Sequence, residues 1–89
     1  MPTVSLSPNI RSHVDIETCE ASGSTVREAL DSVIEKHPRL KSYLFDDNGT
    51  VRKHIATIVN GEPVTDRDRL SDPVSETDEI FVMQALSGG

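Results

Sequence analysis

The feature that most constrains this chain is the stripe Val26, Ala29, Leu30, Val33 and Ile34. Apolar residues at i, i+3, i+4, i+7 and i+8 share one side of an α-helix, and Arg27, Glu28, Asp31, Glu35 and Lys36 take the other. Thr25 with Glu28 three residues later has the form of a capping box. His37 stands in the last turn, where a cation suits the helix dipole, and Pro38 stops the helix. An amphipathic helix must bury its stripe against another layer. In a chain of 89 residues the remaining segments have to supply that layer.

Most of them read as strands. Thr3-Val4-Ser5-Leu6-Ser7 alternates polar and apolar, the period of a half-buried strand, and Ser7-Pro8-Asn9 is turn chemistry. His13 to Cys19 alternates again, placing Val14, Ile16 and Thr18 on one face and Cys19 with Asp15 and Glu17 on the other. The two strands read as an antiparallel hairpin. Ala21-Ser22-Gly23-Ser24 then breaks the pattern before the helix. After it, Leu40, Tyr43, Leu44 and Phe45 suit a short helical turn or a strand covering one end of the core, and Asp46-Asp47-Asn48-Gly49 is a turn. Arg52 to Val59 reads as a strand, with Ile55, Thr57 and Val59 facing one way and His54, Ala56 and Ile58 the other. Asn60-Gly61 is a strong hairpin signal, and Pro63 confines the short return Glu62-Pro63-Val64 to a sheet edge. Thr65 to Asp78 is a polar loop, with at most a helical turn, anchored by Leu70 and Val74. Glu79 to Leu86 is a final strand with Ile80 and Val82 inward. The expected fold is α+β: a mixed four- to five-stranded sheet covered by one main helix.

Such a chain buries about 60–65% of its unfolded surface, and 35% apolar with 3% aromatic residues makes a modest core. A deep catalytic cleft is not expected. A net charge of −6 and a pI near 4.8 argue against nucleic acid and against an anionic membrane. The single cysteine, Cys19, excludes an internal disulfide and lacks the electropositive surroundings of a reactive thiol. No apolar run approaches the roughly 18 residues of a spanning helix, and no basic start with an apolar stretch follows Met1; a cytoplasmic protein is expected.

Few residues carry chemistry. His13, His37 and His54 have no ligand spacing to one another or to Cys19. The run 46–49 lacks the full ligand set and closing Glu of a calcium loop, so no metal site is expected. Asp66, Asp68, Asp72, Glu76, Asp78 and Glu79, interleaved with Arg67 and Arg69, read as a solvated loop, with a docking surface for a basic partner as the alternative. There remains the ending Leu86-Ser87-Gly88-Gly89. At an average glycine usage of about 7%, a terminal glycine pair arises in roughly 0.5% of chains, and glycine adds no packing surface. Such an ending asks for a reason outside the core.

The segments "GSTVREAL", "IVNGEPV" and "SETDEIFVMQALSGG" together resemble the ThiS/MoaD group of prokaryotic ubiquitin-like sulfur carriers, over roughly Val4 to Gly89. That resemblance implies a β-grasp domain over 1–86, with its last strand beside its first in the sheet centre, and a flexible tail over 87–89. It implies a carrier rather than an enzyme, possessing no stably bound cofactor. A ubiquitin-activating-type adenylyltransferase would use ATP to adenylate Gly89. A cysteine desulfurase or rhodanese-type sulfurtransferase would then supply sulfur for a thiocarboxylate, and a sulfur-acceptor enzyme would receive it. Gly88 and Gly89, lacking Cβ, can enter a narrow channel. Ile58, Phe81, Met83 and Leu86, outward or near the tail, are candidates for partner binding.

Two departures matter. The family often has proline where this chain has Gln84, and the segment His37 to Arg52 lengthens it relative to thiamine-pathway carriers. The added length leans toward a molybdopterin-synthase small subunit or the carriers of cysteine synthesis. Two other readings use the same residues: a ubiquitin-like modifier conjugated through Gly89, and a non-covalent β-grasp interaction module.

Overall fold

In the computed structural model, residues 1–7 and 18–84 are described. The expectations for Pro8-Asn9, for His13 to Glu17 and for the tail residues Leu86, Gly88 and Gly89 lie outside the described residues. Helix α1 runs Val26–Lys36, and its N-cap Thr25 accepts the backbone N–H of Glu28 at 3.1 Å. Glu28 reaches back one residue further than a capping box requires, accepting Ser24 N–H at 2.8 Å and Ser24 hydroxyl at 3.1 Å. Gly23 makes this approach possible. Its φ is +141°, and a Cβ there would lie 2.5 Å from Glu28 Cβ.

The strands are β1 Thr3–Leu6, β2 Thr18–Glu20, β3 Ile55–Val59, β4 Glu62–Pro63 and β5 Glu79–Gln84. They form one sheet in the order β2-β1-β5-β3-β4. The last strand is central, parallel to β1 and antiparallel to β3, which is the arrangement expected of a β-grasp. Pro63 lies on an edge strand, and Asn60 and Gly61 both have positive φ, +51° and +85°, as a two-residue I′ hairpin needs. Val26, Ala29, Leu30 and Val33 of α1 are buried with Val4 and Leu6 of β1, Ile55 of β3, and Ile80 and Val82 of β5. Ile34 is only partly buried against this core. Each fully buried aliphatic side chain contributes about 1.5–3 kcal/mol before entropy is subtracted.

A second helix, α2, spans Arg39–Leu44 with Leu40 and Leu44 buried, and Phe45 is buried after it. Pro38 therefore ends α1 and also starts α2. Asp46 caps the following turn through Asn48 N–H at 2.9 Å and Thr50 N–H at 3.0 Å. Arg27 holds the turn down: its guanidinium stacks 4.3 Å from the Phe45 ring centroid and donates to Gly49 O at 2.8 Å.

Two expectations are corrected. The strand β3 starts at Ile55, not Arg52, because Arg52 N–H is engaged with Leu44 O and Arg52 O accepts from Ile55 N–H. His54 thus precedes the strand and shares no strand face with Ala56 and Ile58. In β2 the faces are reversed. Cys19 is the partner of buried Val4 and packs partly buried against the core, whereas Thr18 pairs with Ser5, hydroxyl to hydroxyl at 3.3 Å. Register with β1 decides which way these side chains point, and a shift of one residue inverts the faces.

The loop 65–78 covers the helix start. Its carbonyls at Asp72 and Leu70 accept Val26 N–H and Arg27 N–H, two of the donors a helix N-terminus leaves unpaired. Leu70 and Val74 are buried as anchors. Three of the five carboxylates in this loop cap its own backbone. Asp66 accepts from Arg69 N–H and from Ser71, Asp72 from Thr65 N–H and Asp66 N–H, and Asp78 from Ser75 and Asn60.

The alanine variant Gly23→Ala should lose about 1–3 kcal/mol of stability, read as a lower urea midpoint at unchanged slope. An unchanged midpoint would show that the Gly23 backbone relaxes freely. A second expectation concerns acid. Hydrogen bonds from Ser24 lower the Glu28 pKa, those from Ser71 and then Arg69 lower that of Asp66, and those from Ser75 and Asn60 lower that of Asp78. A lowered folded pKa means stability is full above the unfolded value, about 4, and is lost as pH falls through the folded one. The melting temperature should therefore drop below about pH 4, and Asp78→Asn should show a shallower drop across that window. Equal slopes would exclude a contribution from Asp78.

Candidate functional site: the outer sheet face and the end of β5

Directly opposed residues in a sheet share a face, so the pairing register maps the side away from α1. One row crosses all five strands: Thr18, Ser5, Phe81, Ile58 and Pro63. Met83 lies opposite Ala56 in a neighbouring row. Ile80 and Val82 are buried toward the helix, while Phe81 is 37% exposed and Ile58 and Met83 are half-buried. Apart from Met1, Phe81 is the exposed large apolar side chain among the described residues. Beside it, Ser5, Ile58, Asn60, Gly61, Glu79 and Phe81 line an open depression of about 580 Å³.

The surroundings are charged unevenly. At the start of β5, Thr3 pairs with both Glu20 and Glu79, so two carboxylates flank the apolar row on the same face. At the other end, Ile55 pairs with Gln84, and Arg67 lays its guanidinium on Lys53 O at 2.7 Å. The Arg67 side chain thus leaves its acidic loop for the end of the sheet where β5 finishes.

Three of the sequence candidates, Ile58, Phe81 and Met83, come together on this face; Leu86, Gly88 and Gly89 lie outside the described residues. Sequence reasoning missed the polar contacts at Gln84. Its side chain points to the helix side with Ile80 and Val82, where its amide oxygen accepts the Tyr43 hydroxyl at 2.6 Å. Its backbone N–H donates to Ser7 Oγ at 3.3 Å. The available signal was Tyr43 itself, since a partly buried tyrosine needs a partner for its hydroxyl. Among the described residues, no group of three or more His, Cys, Asp or Glu side chains is placed to hold a metal ion, and no helix is long and apolar enough to cross a membrane.

Comparison with known proteins gives a consistent result. The model of the ThiS family matches residues 9–89. Small archaeal modifier protein 1 of Haloferax volcanii is 35% identical over 66 residues, covering 74% of this chain and 71% of that protein. Its crystal structure superposes with a TM-score of 0.82 at 28% identity, covering 99% and 98% of the two chains. A chain of the Amycolatopsis orientalis BexX/CysO complex superposes at 0.85 with 30% identity over the full length of both.

The face assignment is open to a direct test. Ile80→Ala should cost about 2–5 kcal/mol, whereas Phe81→Ser should stay within about 1 kcal/mol of the parent, both by urea denaturation. Comparable losses would place Phe81 in the core.

Proposed function

We propose a function from the premise that this chain belongs to the ThiS family, whose members are small ubiquitin-like carriers and modifiers and not catalytic enzymes. In this reading it is a sulfur carrier whose Gly89 carboxylate is the working group. The observation that supports it most is the central place of β5, described as far as Gln84, five residues before Gly89. Five residues span at most about 17 Å, enough for the glycine pair to enter a partner's active site while the sheet face stays outside.

A carboxylate is a poor electrophile, because its oxygen is a poor leaving group. A ubiquitin-activating-type adenylyltransferase solves this by joining Gly89 to AMP from ATP, releasing pyrophosphate. Sulfur from a persulfide, carried by a cysteine desulfurase or sulfurtransferase, then displaces AMP. A thiol cleaves the resulting sulfur–sulfur bond and leaves the thiocarboxylate for a sulfur-acceptor enzyme. This chain supplies the positioned carboxylate, Gly88 the unobstructed approach, and Ile58, Phe81, Met83 and Leu86 the docking contacts. The segment containing α2 and the Asp46 turn favours a molybdopterin-type or cysteine-type recipient over the thiamine pathway.

Incubation with the host's activating enzyme, ATP and a sulfur source should add the mass of one oxygen-to-sulfur exchange, and deleting Gly89 should abolish it. No mass gain with any activating enzyme of the host would overturn the reading. The likeness to an archaeal modifier protein supports a second use of the same carboxylate, conjugation to lysines. Adducts that survive reducing, denaturing gels and vanish without the glycine pair would establish it.

A further inference from the structure

We propose that the cavity between the start of α1, the turn 46–50 and the loop 65–78 binds a phosphate-class oxyanion, with Arg27 and Arg69 as its charged donors. The site stands apart from the outer sheet face and from the reading of Gly89. The cavity has a volume of about 300 Å³ and is lined by Arg27, Asn48, Gly49, Thr50 and Arg69. Two guanidiniums, a carboxamide and a hydroxyl therefore surround it, and no carboxylate is among these lining residues. Such a lining is unusual for a chain with 15 Asp and Glu against 9 Lys and Arg.

Backbone bonds assemble the cavity from three separate segments. Arg27 N–H donates to Leu70 O at 2.9 Å, which brings the first turn of α1 beside Arg69. Val51 N–H donates to Asp68 O at 3.3 Å and ties the exit of the turn to the same loop. Asp46 accepts Asn48 N–H and Thr50 N–H and so fixes the turn itself. The backbone beneath the donors is braced before a ligand arrives, which lowers the ordering cost of binding.

The donors are not all committed. Arg27 gives Nε to Asp31 at 3.2 Å and Nη1 to Gly49 O at 2.8 Å, which leaves Nη2. That atom lies 3.8 Å from where a Cβ on Gly49 would stand, so the absent side chain leaves room there for a ligand oxygen. The Arg69 guanidinium makes no hydrogen bond or ion pair among the described residues. The carboxylate that feels its charge, Asp66, already accepts Arg69 N–H and both donors of Ser71. Asp68 is exposed and does not line the cavity.

Shape selects the ligand. A planar carboxylate suits one guanidinium fork, whereas a tetrahedral oxyanion presents oxygens in several directions. Donors from α1, the turn and the loop match the tetrahedral group. A net charge of −6 repels anions at long range, so an oxyanion that binds here is held by these local donors.

The test titrates the full chain with inorganic phosphate at neutral pH and constant ionic strength, following amide shifts in nitrogen–proton correlation spectra. Saturable shifts should gather at Gly49, Thr50 and Arg69 and leave Ile58 and Phe81 unmoved. Arg69→Gln should weaken binding about tenfold, the loss of one charge-assisted contact. Thr50→Val, which removes only the hydroxyl, should weaken it about threefold. Arg39→Gln removes an exposed cation of α2 outside the cavity and should change affinity by less than about twofold. Acetate at equal concentration should give no saturable shift. Pyrophosphate binding more tightly than phosphate would support the site and mark a phosphoryl group of a larger molecule as its ligand; weaker binding would support it with free phosphate as the ligand. Shifts that never saturate, unchanged affinity in both Arg69→Gln and Thr50→Val, or acetate binding as well as phosphate would each overturn the site.

Discussion

β5 holds the two halves of this molecule together. The β1–β2 and β3–β4 pairs touch in the sheet only through it, given the order β2-β1-β5-β3-β4. An isolated two-stranded ribbon is marginal in water, so neither pair is a stable unit until the final strand inserts between them. Its parallel register with β1 joins residues 3–6 to residues 79–82, closing nearly the whole chain. Closing a long loop adds little thermodynamic cost over closing a short one, because the penalty grows only logarithmically. The same segment that completes the sheet leads into the glycine pair, so a partner that pulls on the terminus pulls on the best-held strand.

The second dependency is at the start of α1. A helix begins with unpaired N–H groups, and here the loop 65–78 supplies carbonyls to Val26 and Arg27 while Thr25 and Ser24 bond with Glu28. The loop can approach that closely because its carboxylates satisfy its own turns. Asp66, Asp72 and Asp78 fold it, and Leu70 and Val74 pin it. What looks in the sequence like a solvated charge run is half scaffold; Asp68 and Glu76 remain exposed on the loop, and Glu79 is exposed at the start of β5.

Legibility in the sequence followed the range of the interaction. The α1 stripe, the Asn60-Gly61 hairpin and the inward Ile80 and Val82 are set by residues within a few positions, and each was readable from spacing. The face of Cys19 was not, because parity within β2 is decided by pairing with β1. The start of β3 was misplaced for a similar reason: Arg52 reads as strand until Leu44 O, eight positions back in the chain, claims its N–H. At the candidate site, Ile58 and Phe81 were legible because both follow strand alternation. The Tyr43–Gln84 contact was illegible because nothing local in either residue names the other.

Gln84 shows how alternation and chemistry can disagree at the end of a strand. The period of two carries an inward position past Val82 to Gln84, where a polar side chain meets the Tyr43 hydroxyl of α2. Gln84 is held by one phenol and one serine hydroxyl, with bonds whose geometry is directional rather than greasy contact that slides. Where the family's proline would limit direction through its own ring, this chain depends on two residues distant in sequence. The departure at Gln84 thus replaces a ring constraint within the strand by two hydrogen bonds, one from Tyr43 of α2 and one to Ser7 after β1.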